Sequence, residues 1–444
     1  MRAEGIIGLL ILALVTTGAF FNFFKQEAPV HEEGDNFLPS FTPYEHFLKS
    51  SEGMEGLMSI EGSTQFEQFV NGLDYPLEIH YVTTADDYIL KVYRIPGKKG
   101  EAPSSYENRK RTPMFLQHGL LDSSDTFILN DEDKSIGFIL ANAGYDVWFG
   151  NVRGNKYCLQ KTTSDYKDKD FWNFTWNEMA NTDLPAMLSY VTDATKYEQV
   201  LYVGHSQGTV MVWAGASDPA SRDLVNQKIK LFIALGPAPY IHHTSAKIVT
   251  IASDLHLSDV LGVFGIRYIF MPSPWGLIPD KLISILCKLS KMLCDAGFYL
   301  ISDMDPSLLN NARAPIFMDH FPSGTSILNM DMWSQQARTG KFQKYDFGSK
   351  ENEKRYGSKD PPAYDLSQVK IPTAMFVGTK DRLADAEDCE ALRDKLEAAG
   401  KSLISYKEYD MGHLGFLLDK NITFWDDAMV IIEKYTPTTP SIEQ

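Results

Sequence analysis

The sequence predicts an α/β fold in which a mostly parallel sheet is flanked by helices and carries an inserted helical cap. Short apolar runs alternate with stretches long enough for helices, which is typical of a parallel sheet covered on both faces. These runs are residues 113–117, 145–149, 199–203, 231–235 and 373–377. The gap of about 140 residues between the last two runs is too long for one crossover and indicates an insertion. A composition of 44% apolar and 23% charged residues supports a large core and excludes wholesale disorder and coiled coil.

The chain begins with a pattern that is typical of a secretory signal. Residues 6–15 read IIGLLILALV, and Arg2 precedes this run. The run is short for a membrane span of about 20 residues, and Thr17 and Ala19 are small residues suited to a cleavage site. We therefore predict a signal peptide over residues 1–19, cleaved after Ala19. The alternative is an uncleaved signal anchor, because four aromatic residues lengthen the apolar stretch: Phe20, Phe21, Phe23 and Phe24.

The next part of the chain is an acidic stretch followed by a hairpin pattern. Residues 20–65 show no clear period, so we expect an N-terminal segment with little regular structure. The run LEIHYVTTADDYILKVYRIP, residues 77–96, contains two β-rich halves around the turn residues 84–87. This pattern predicts a β-hairpin that leads into the sheet.

The catalytic core and the cap are predicted from the position of the long insertion. We assign residues 66–236 and 366–444 to the core and residues 237–365 to the cap. The insertion is dense in Leu, Ile, Phe and Met, and it is broken by proline at three positions: Pro272, Pro274 and Pro279. Helices with apolar faces fit this composition. Such faces serve either as ordinary core packing or as a lid over an apolar substrate site.

The run VLYVGHSQGTVMVWAGA predicts a nucleophile elbow. It contains Gly204, His205, Ser206, Gln207 and Gly208 after a β-like run and before a helix-compatible one. A serine at a sharp strand-to-helix turn has a strained backbone that projects its hydroxyl, and the two glycines let neighbouring backbone pass closely. The alternative is a glycine-rich turn with an incidental serine, but the strand, turn and helix order favours the elbow.

A nucleophilic serine needs a base and an acid, which follow it in the order acid, histidine in this type of fold. His413 lies beyond the last predicted strand, in the small-residue turn YDMGHLGF, and is the predicted base. Asp381 lies just past the apolar run of TAMFVGTKDRLADAED, closest to the strand end, and is the predicted acid. Asp385 and Asp388 compete for that role, but we expect Asp385 to be a loop or helix-start residue and Asp388 to be a solvated helix residue.

Two backbone N–H groups are predicted to stabilise the oxyanion. One belongs to Gln207, the residue after the nucleophile. The other comes from the loop in MFLQHGLLDSSDTF, where Gly119 permits close approach and Leu120 donates its N–H. His118 comes too early in the chain to be the base, so we expect it to stabilise this loop. His205 is expected to be a packing residue.

Charge and motifs exclude several classes of partner. The chain has 42 basic and 58 acidic residues, a formal charge of −16. Such a charge repels phosphate backbones, which argues against nucleic acid. The sequence contains no convincing phosphate loop, zinc-ligand spacing or repeat. We therefore predict neither a metal nor a cofactor.

The cysteines and sequons fit an exported chain whose fold is stabilised by its hydrophobic core and not by a framework of disulfides. At most two disulfides are possible, since the chain has four cysteines: Cys158, Cys287, Cys294 and Cys389. Seven residues of continuous helix would place the Cα atoms of Cys287 and Cys294 about 10.5 Å apart, beyond the limit of about 7 Å for a disulfide, so a bridge there requires the helix to break. The sequons at Asn173 and Asn421 are candidate glycosylation sites.

Taken together, these motifs resemble the acid lipase family, the gastric and lysosomal acid lipases and their invertebrate relatives. The resemblance covers roughly residues 70 to 425. It rests on blocks that occur in the family order, including FLQHGLLDSS, DVWFGNVRGNKY, NEMANTDLPAML, YVGHSQG, HFPSGTS, KFQKYDFGS, PPAYDLSQVKIP and GTKDRLAD. Several co-ordered motifs are far more specific than the elbow pentapeptide alone.

The resemblance implies an α/β-hydrolase fold and the same site residues that the motifs predict. Ser206 would be the nucleophile, Asp381 and His413 its partners, and Leu120 and Gln207 the oxyanion donors. It also implies a helical cap with a disulfide, assigned here to Cys287 and Cys294. Four positions depart from the family pattern without removing a reacting group: Asp87 and Thr379 in place of glycines, and Gly412 and Gly415 in place of bulkier or polar residues beside the histidine.

The functional hypothesis is an exported lipase, secreted or lysosomal, that cleaves carboxylic esters of lipids through an acyl-enzyme. Triacylglycerols or sterol esters, met at a lipid droplet or membrane interface, are the expected substrates because the insertion is so apolar. The alternatives are a soluble carboxylesterase or thioesterase of the same fold and a non-catalytic lipid-binding protein. The pattern makes no prediction of oligomeric state.

Overall fold

The structure is a computed structural model that describes residues 64–102, 110–246, 266–270, 298, 303–400 and 402–436. The predicted signal peptide and nearly all of the N-terminal segment lie outside the described residues, as do Cys287 and Cys294.

A central sheet organises the described chain. Its strands run in the order β1-β2-β4-β3-β6-β7-β10-β11, and β5 pairs with β2. Pairing is antiparallel where β2 meets β1, β4 and β5, and parallel from β4 through to β11. The predicted mostly parallel sheet is therefore confirmed. The strands are β1 (Glu78–Thr83), β2 (Tyr88–Ile95), β3 (Pro113–Gln117), β4 (Asp146–Gly150), β5 (Gln160–Lys161), β6 (Val200–His205), β7 (Ile229–Leu235), β8 (Tyr268–Ile269), β9 (Thr325–Ser326), β10 (Thr373–Gly378) and β11 (Leu403–Tyr409).

Helices cover both faces of this sheet. The described chain contains the helices α1 (Gln65–Gly72), α2 (Ile136–Ala143), α3 (Trp176–Glu178), α4 (Leu184–Thr195), α5 (Gln207–Ser217), α6 (Arg222–Lys228), α7 (Ala314–His320), α8 (Ile327–Thr339), α9 (Ser349–Tyr356), α10 (Ala386–Ala399), α11 (Gly415–Leu418) and α12 (Thr423–Tyr435). A π-helical turn, Met179–Asp183, joins α3 to α4.

The five apolar runs became strands because both of their faces are covered. Every residue of β3, β4, β6 and β10 is buried. Alternate side chains of one strand enter opposite cores. In β6, Tyr202 packs with α4, α5 and α6, whereas Leu201 and Val203 pack with α1, α2 and α12. A strand with two apolar faces reads as a continuous apolar run, which is the pattern that the sequence shows.

The predicted hairpin is present as β1 and β2. The Thr84 N–H donates to the carbonyl oxygen of Tyr88 over 2.8 Å, and the Asp87 N–H donates to that of Thr84 over 3.0 Å. Asp87 has φ of +75°, in the left-handed region that glycine adopts most easily. This conformation accounts for the family preference for glycine at a position where the chain has aspartate.

The described part of the predicted insertion contains three helices, α7 to α9, and the short antiparallel pair of β8 with β9. Helix α8 begins at a capped end, where the Ser326 hydroxyl accepts the Asn329 N–H over 3.0 Å. The boundaries of the cap, 237 and 365, stay a prediction. Across the described ranges, no helix combines the length and the apolar character that a bilayer crossing requires.

Candidate active site

Ser206 occupies the sharp turn between β6 and α5. Its φ of 52° and ψ of −119° depart from ordinary helix and strand values. The turn is this tight because glycines stand on either side of it. A Cβ on Gly204 would lie 2.8 Å from the Gly208 carbonyl oxygen, and one on Gly208 would overlap the Gln117 carbonyl. The strained backbone therefore depends on glycine at both positions.

His413 and Asp381 are brought together from two loops. His413 Nδ1 lies 2.6 Å from Asp381 Oδ2, and both side chains are buried. The other oxygen of this carboxylate, Oδ1, accepts the backbone N–H groups of Leu383 and Ala384, each over 2.8 Å. These two N–H groups fix the carboxylate, so Nδ1 of His413 carries the proton that Asp381 accepts and Nε2 remains for another partner.

The nucleophile elbow and the His413 turn meet beyond the end of β7. The Ser206 N–H donates to the carbonyl oxygen of Leu235 over 3.0 Å. The next residue, Gly236, has φ of +54°, and a Cβ there would lie 3.1 Å from His413 Nδ1. His205 Nε2 donates to the carbonyl oxygen of His413 over 3.0 Å, and the two imidazole rings are 4.8 Å apart. Serine, histidine and aspartate thus belong to one buried cluster.

The pKa values of the two imidazoles in this cluster are shifted in opposite directions. Burial lowers the pKa of His413, but the charges of Asp381 and Asp303 and the hydrogen bond to Asp381 raise it above its ordinary value. Burial and the neighbouring His413 hold the pKa of His205 well below its ordinary value. His205 is therefore neutral. The packing role predicted for His205 is incomplete, because this side chain also bonds the elbow to the histidine turn.

The predicted oxyanion donors belong to two segments that contact or adjoin Ser206. A Cβ on Gly119 would lie 2.9 Å from Ser206 Cβ, so the loop that carries Leu120 passes directly over the nucleophile. Gln207 is the first residue of α5, where backbone N–H groups have no intrahelical acceptor. Within the described ranges, neither the Leu120 nor the Gln207 N–H donates to another residue. Both remain for a ligand, and the helix N-terminus favours negative charge.

The side chain of Gln207 is anchored by α8, a contact that the sequence analysis missed. Its Oε1 accepts from Asn329 Nδ2 over 3.0 Å and from Trp333 Nε1 over 2.9 Å. Its Nε2 lies 3.3 Å from the sulfur of Met179, in the π-helical turn. All four residues are buried. Helix α8, which lies in the predicted cap, thus anchors a residue of the predicted oxyanion hole. Asn329 and Gln207 are 122 residues apart in the sequence, so no local motif could have indicated their contact.

His118 stabilises its loop, as predicted. Its Nδ1 donates to the Gly119 carbonyl oxygen over 2.8 Å, and its Nε2 accepts the Val152 N–H over 3.3 Å and Asn155 Nδ2 over 3.2 Å. Burial lowers the pKa of His118 to about 4. The neutral imidazole therefore ties the Leu120 loop to the segment that follows β4.

One competitor of Asp381 differs from expectation. Asp385 is the N-cap of α10 and accepts the Glu387 N–H over 3.0 Å, as a helix-start residue should. Asp388 was expected to be solvated, and this prediction is wrong. Asp388 is buried because His243 folds over it, with His243 Nδ1 2.9 Å from its Oδ1. The sequence separation of 145 residues hides this pairing from local patterns.

Both predicted glycosylation sites and two of the four cysteines lie within the described ranges. Asn173 and Asn421 are both exposed. Cys158 and Cys389 are buried free thiols, so at most one disulfide remains, between the two cysteines outside the described ranges. Among the residues with described positions, no group of three or more His, Cys, Asp or Glu side chains could hold a metal ion.

Comparison with known proteins identifies the family. The model of a partial alpha/beta-hydrolase lipase region matches residues 66–131, and that of the alpha/beta hydrolase fold matches residues 112–260. Gastric triacylglycerol lipase of Homo sapiens is 35% identical over 397 residues, covering 87% of this chain and 96% of that protein. Lipase member K of Mus musculus is 33% identical over 371 residues, covering 83% and 90%. Lipase lipl-1 of Caenorhabditis elegans is 37% identical over 327 residues, covering 72% and 79%. With identity of this level over most of each relative, the chain belongs to the acid lipase family of α/β-hydrolases.

Proposed function

We propose that the protein is an exported lipase that hydrolyses carboxylic esters of lipids through a Ser206, His413 and Asp381 triad. The observation that carries this proposal is the 2.6 Å contact of His413 Nδ1 with Asp381 Oδ2, beside a serine held at a strained elbow. Family membership as a carboxylic ester hydrolase supports the same reaction class.

Acylation begins when His413 Nε2 removes the Ser206 hydroxyl proton as the oxygen attacks the ester carbonyl. The imidazolium that forms is stabilised by the Asp381 carboxylate, whose second oxygen is held by backbone N–H groups. The N–H groups of Leu120 and Gln207 stabilise the oxyanion. His413 then protonates the leaving alcohol, and an acyl-Ser206 ester remains.

Deacylation repeats these steps with water as the nucleophile. His413 deprotonates the water, which attacks the acyl-enzyme carbonyl, and the same two N–H groups stabilise the second oxyanion. Collapse of this intermediate returns the proton from His413 to Ser206 and releases a fatty acid. Besides the ester and water, each step needs the side chains of the triad and the two backbone N–H groups.

Triacylglycerols or sterol esters at a lipid surface are the proposed substrates. The relatives carry the names gastric triacylglycerol lipase and lipase, which supports a lipid ester. The apolar composition of residues 237–365 supports a cap that covers long acyl chains. The N-terminal signal pattern and the two exposed sequons support passage through the secretory pathway to the lysosomal lumen or the outside of the cell.

Covalent labelling tests the nucleophile. We expect a fluorophosphonate probe to label the purified protein, and Ser206→Ala to abolish this labelling. Ser217→Ala is the matched control, because Ser217 is also a buried serine of the same strand-helix unit and lies at the far end of α5. A folded wild-type protein that resists the probe would refute the triad proposal and favour a lipid-binding protein.

Substrate profiling tests the lipid assignment. Hydrolysis of emulsified triolein, cholesteryl oleate and a short-chain soluble ester is measured from pH 4 to 8. We expect cleavage of at least one long-chain emulsified ester at a rate above that of the soluble ester. Cleavage of the soluble ester alone would replace the lipase proposal with a carboxylesterase.

A further inference from the structure

A segment that precedes α7 lies against both loops of the proposed triad. We call residues 303–310 the strap. At its start, Asp303 pairs with Asp381 as an antiparallel bridge, and the Met304 N–H donates to the Lys380 carbonyl oxygen over 2.9 Å. At its end, the Asn310 N–H donates to the Leu418 carbonyl oxygen over 2.7 Å, in the helix that follows His413. The strap therefore joins the acid loop to the histidine loop.

The Asp303 side chain is buried within this junction, with 1% of its surface exposed. Its Oδ1 accepts the backbone N–H of Leu414, the residue after His413, over 3.2 Å. A second carboxylate, besides that of Asp381, thus contacts the histidine turn. Burial of a carboxylate is costly unless it has partners, and the partners of Asp303 include this N–H and the charge-sensitive imidazole of His413.

Asp303 also explains the glycine before His413. A Cβ on Gly412 would overlap the Asp303 carboxylate, with its nearest neighbours the Oδ1, Cγ and Cβ atoms of Asp303. The φ of Gly412 lies outside the left-handed region, so its backbone conformation does not require glycine. The space occupied by Asp303 requires it. Gly412 and Asp303 therefore form one packing contact, in which the glycine leaves the space that the carboxylate occupies.

Titratable side chains next to His413 come from three elements. The acid loop contributes Asp381, which bonds Nδ1, and the strap contributes Asp303, whose negative charge acts in the same direction. The elbow contributes His205, which is neutral. Burial opposes the charged imidazole, and the two carboxylates together overcome this opposition.

We propose that Asp303 is a positioning residue of the hydrolysis, which holds the His413 turn through Leu414 N–H and Gly412 and places a second negative charge beside the imidazole. This inference rests on the proposed function, because it assigns Asp303 to the stabilisation of the His413 imidazolium in each proton transfer. Asp303 acts only through the base.

The decisive experiment is an NMR titration of His413 in the full chain labelled at histidine Cε1, with the resonance assigned by its loss in His413→Gln. Asp303→Asn keeps the shape and an acceptor oxygen but removes the charge. We expect the His413 midpoint to fall by about 0.5 to 1 pH unit relative to the wild type. Asp305→Asn is the control, because Asp305 lies on the same strap but bonds Lys380 over 3.2 Å. Equal midpoints in the wild type and Asp303→Asn would overturn the electrostatic role.

Kinetics provide the second readout. The acid limb of kcat/KM should move to lower pH in Asp303→Asn, by the same amount as the NMR midpoint, while kcat on the plateau falls by up to about tenfold. A merely structural role would lower kcat without moving the limb. An inactive wild-type enzyme would refute the proposed function yet leave the titration readable, so the two failures are distinguishable.

The packing contact is tested by a double-mutant cycle with Gly412→Ala. In the wild type this change should lower kcat/KM by more than about tenfold, because the new methyl overlaps Asp303 and displaces the histidine turn. In an Asp303→Gly background, which removes all three atoms that the methyl meets, the same change should cost less than about threefold. Equal losses in both backgrounds would overturn the packing role.

Discussion

Asp381 and Asp385 lie four residues apart on one loop, yet their carboxylates have unrelated partners: His413 Nδ1 for the first and the Glu387 N–H for the second. This difference makes a matched pair of variants. Asp381→Asn keeps the shape but replaces the acceptor of the Nδ1 proton, which favours the wrong tautomer of His413. We expect kcat to fall by about 10³- to 10⁴-fold with little change in KM, measured on a soluble ester.

Asp385→Asn is the control for this loss. Asparagine caps a helix as well as aspartate does, so α10 keeps its N-cap and the unfolding free energy should change by less than about 0.5 kcal/mol. Activity should stay within about twofold of the wild type. If Asp385→Asn rather than Asp381→Asn removed activity, the acid of the triad would be misassigned.

The contact between Trp333 and Gln207 leads to a prediction about the oxyanion hole. Trp333→Phe removes the indole N–H that donates to Gln207 Oε1 and leaves most of the ring volume in place. Loss of one buried hydrogen bond, about 0.5 to 1.5 kcal/mol, loosens the residue whose N–H acts in the transition state. We expect kcat to fall by about three- to tenfold while KM stays constant.

Trp425→Phe offers the same chemical change without the same contact. Trp425 is buried in α12, and its indole N–H has no acceptor among the described residues. The kcat of the Trp425→Phe variant should therefore equal that of the wild type. Equal kcat for Trp333→Phe and the wild type would show that the Gln207 side chain needs no anchor.

Asp122, in the loop that follows Leu120, should make stability depend on pH. Burial and the neighbouring Asp125 raise the pKa of Asp122 to about 7. The folded state then holds the proton more tightly than the unfolded chain does, so the free energy of unfolding falls as pH rises from about 4 to about 7. Asp122→Asn removes this penalty. By urea denaturation, we expect the variant to be more stable than the wild type at pH 8, by at most about 4 kcal/mol, and similar to it at pH 4.

Asp125→Asn should change stability in the opposite direction and lower the free energy of unfolding at neutral pH. Burial alone would raise the pKa of Asp125, but Lys156 Nζ and His320 Nδ1, each at 2.7 Å, hold it well below its ordinary value. The stability from this pairing is present above the unfolded pKa of about 4 and is lost as pH falls further. At pH 7 the variant leaves the largely buried Lys156 without its ionic partner and should lose about 3 kcal/mol, because the Gln65 and His320 oxygens still bond the ammonium group. A gain in stability there would contradict the assignment of these charges.

Asp87 is the target of a stabilising change. Its φ of +75° costs an L-residue about 1 to 2 kcal/mol, of which glycine would recover all but its own entropy cost of about 0.5 to 1. Asp87→Gly should therefore raise the free energy of unfolding by about 0.5 to 1 kcal/mol. Thermal and urea unfolding measure this gain.

The neighbouring Asp86→Gly tests whether position, rather than glycine itself, is responsible. Asp86 bonds Arg153 over 2.6 and 2.9 Å and has an ordinary φ. Its replacement should lower stability by at least about 1 kcal/mol. A gain at both positions would mean that the turn is strained as a whole.

The sheet and the site cluster could be predicted because their signals are local in the sequence. Strands such as β6 and β10 are buried on both faces, so each is a continuous apolar run. Ser206 stands between a strand and a helix, and Asp381 lies in the loop just beyond the end of β10. The chain order then selects His413. Each of these inferences needs only a short window and a rule of topology.

The contacts that could not be predicted join segments that are distant in the sequence, and no hydrophobic periodicity indicates them. Asp388 has the spacing of an exposed helix residue, but a loop 145 residues away buries it under His243. The anchoring of Gln207 by Trp333 spans 126 residues. Asp303 lies in a strap with little regular structure, and no motif surrounds it. Tertiary contacts decide the roles of these residues, and no local window contains both partners.

The overlap of a Gly412 side chain with Asp303 also constrains the order in which the two residues could arise in evolution. Glycine at 412 leaves the space that Asp303 occupies, whereas any residue with a Cβ at 412 would overlap it. Because a lineage that gained Asp303 first would pass through a clashing intermediate, we expect Gly412 to have arisen first. Relatives with a larger residue before the histidine should therefore lack a carboxylate at the strap position, and the two columns of a family alignment should covary.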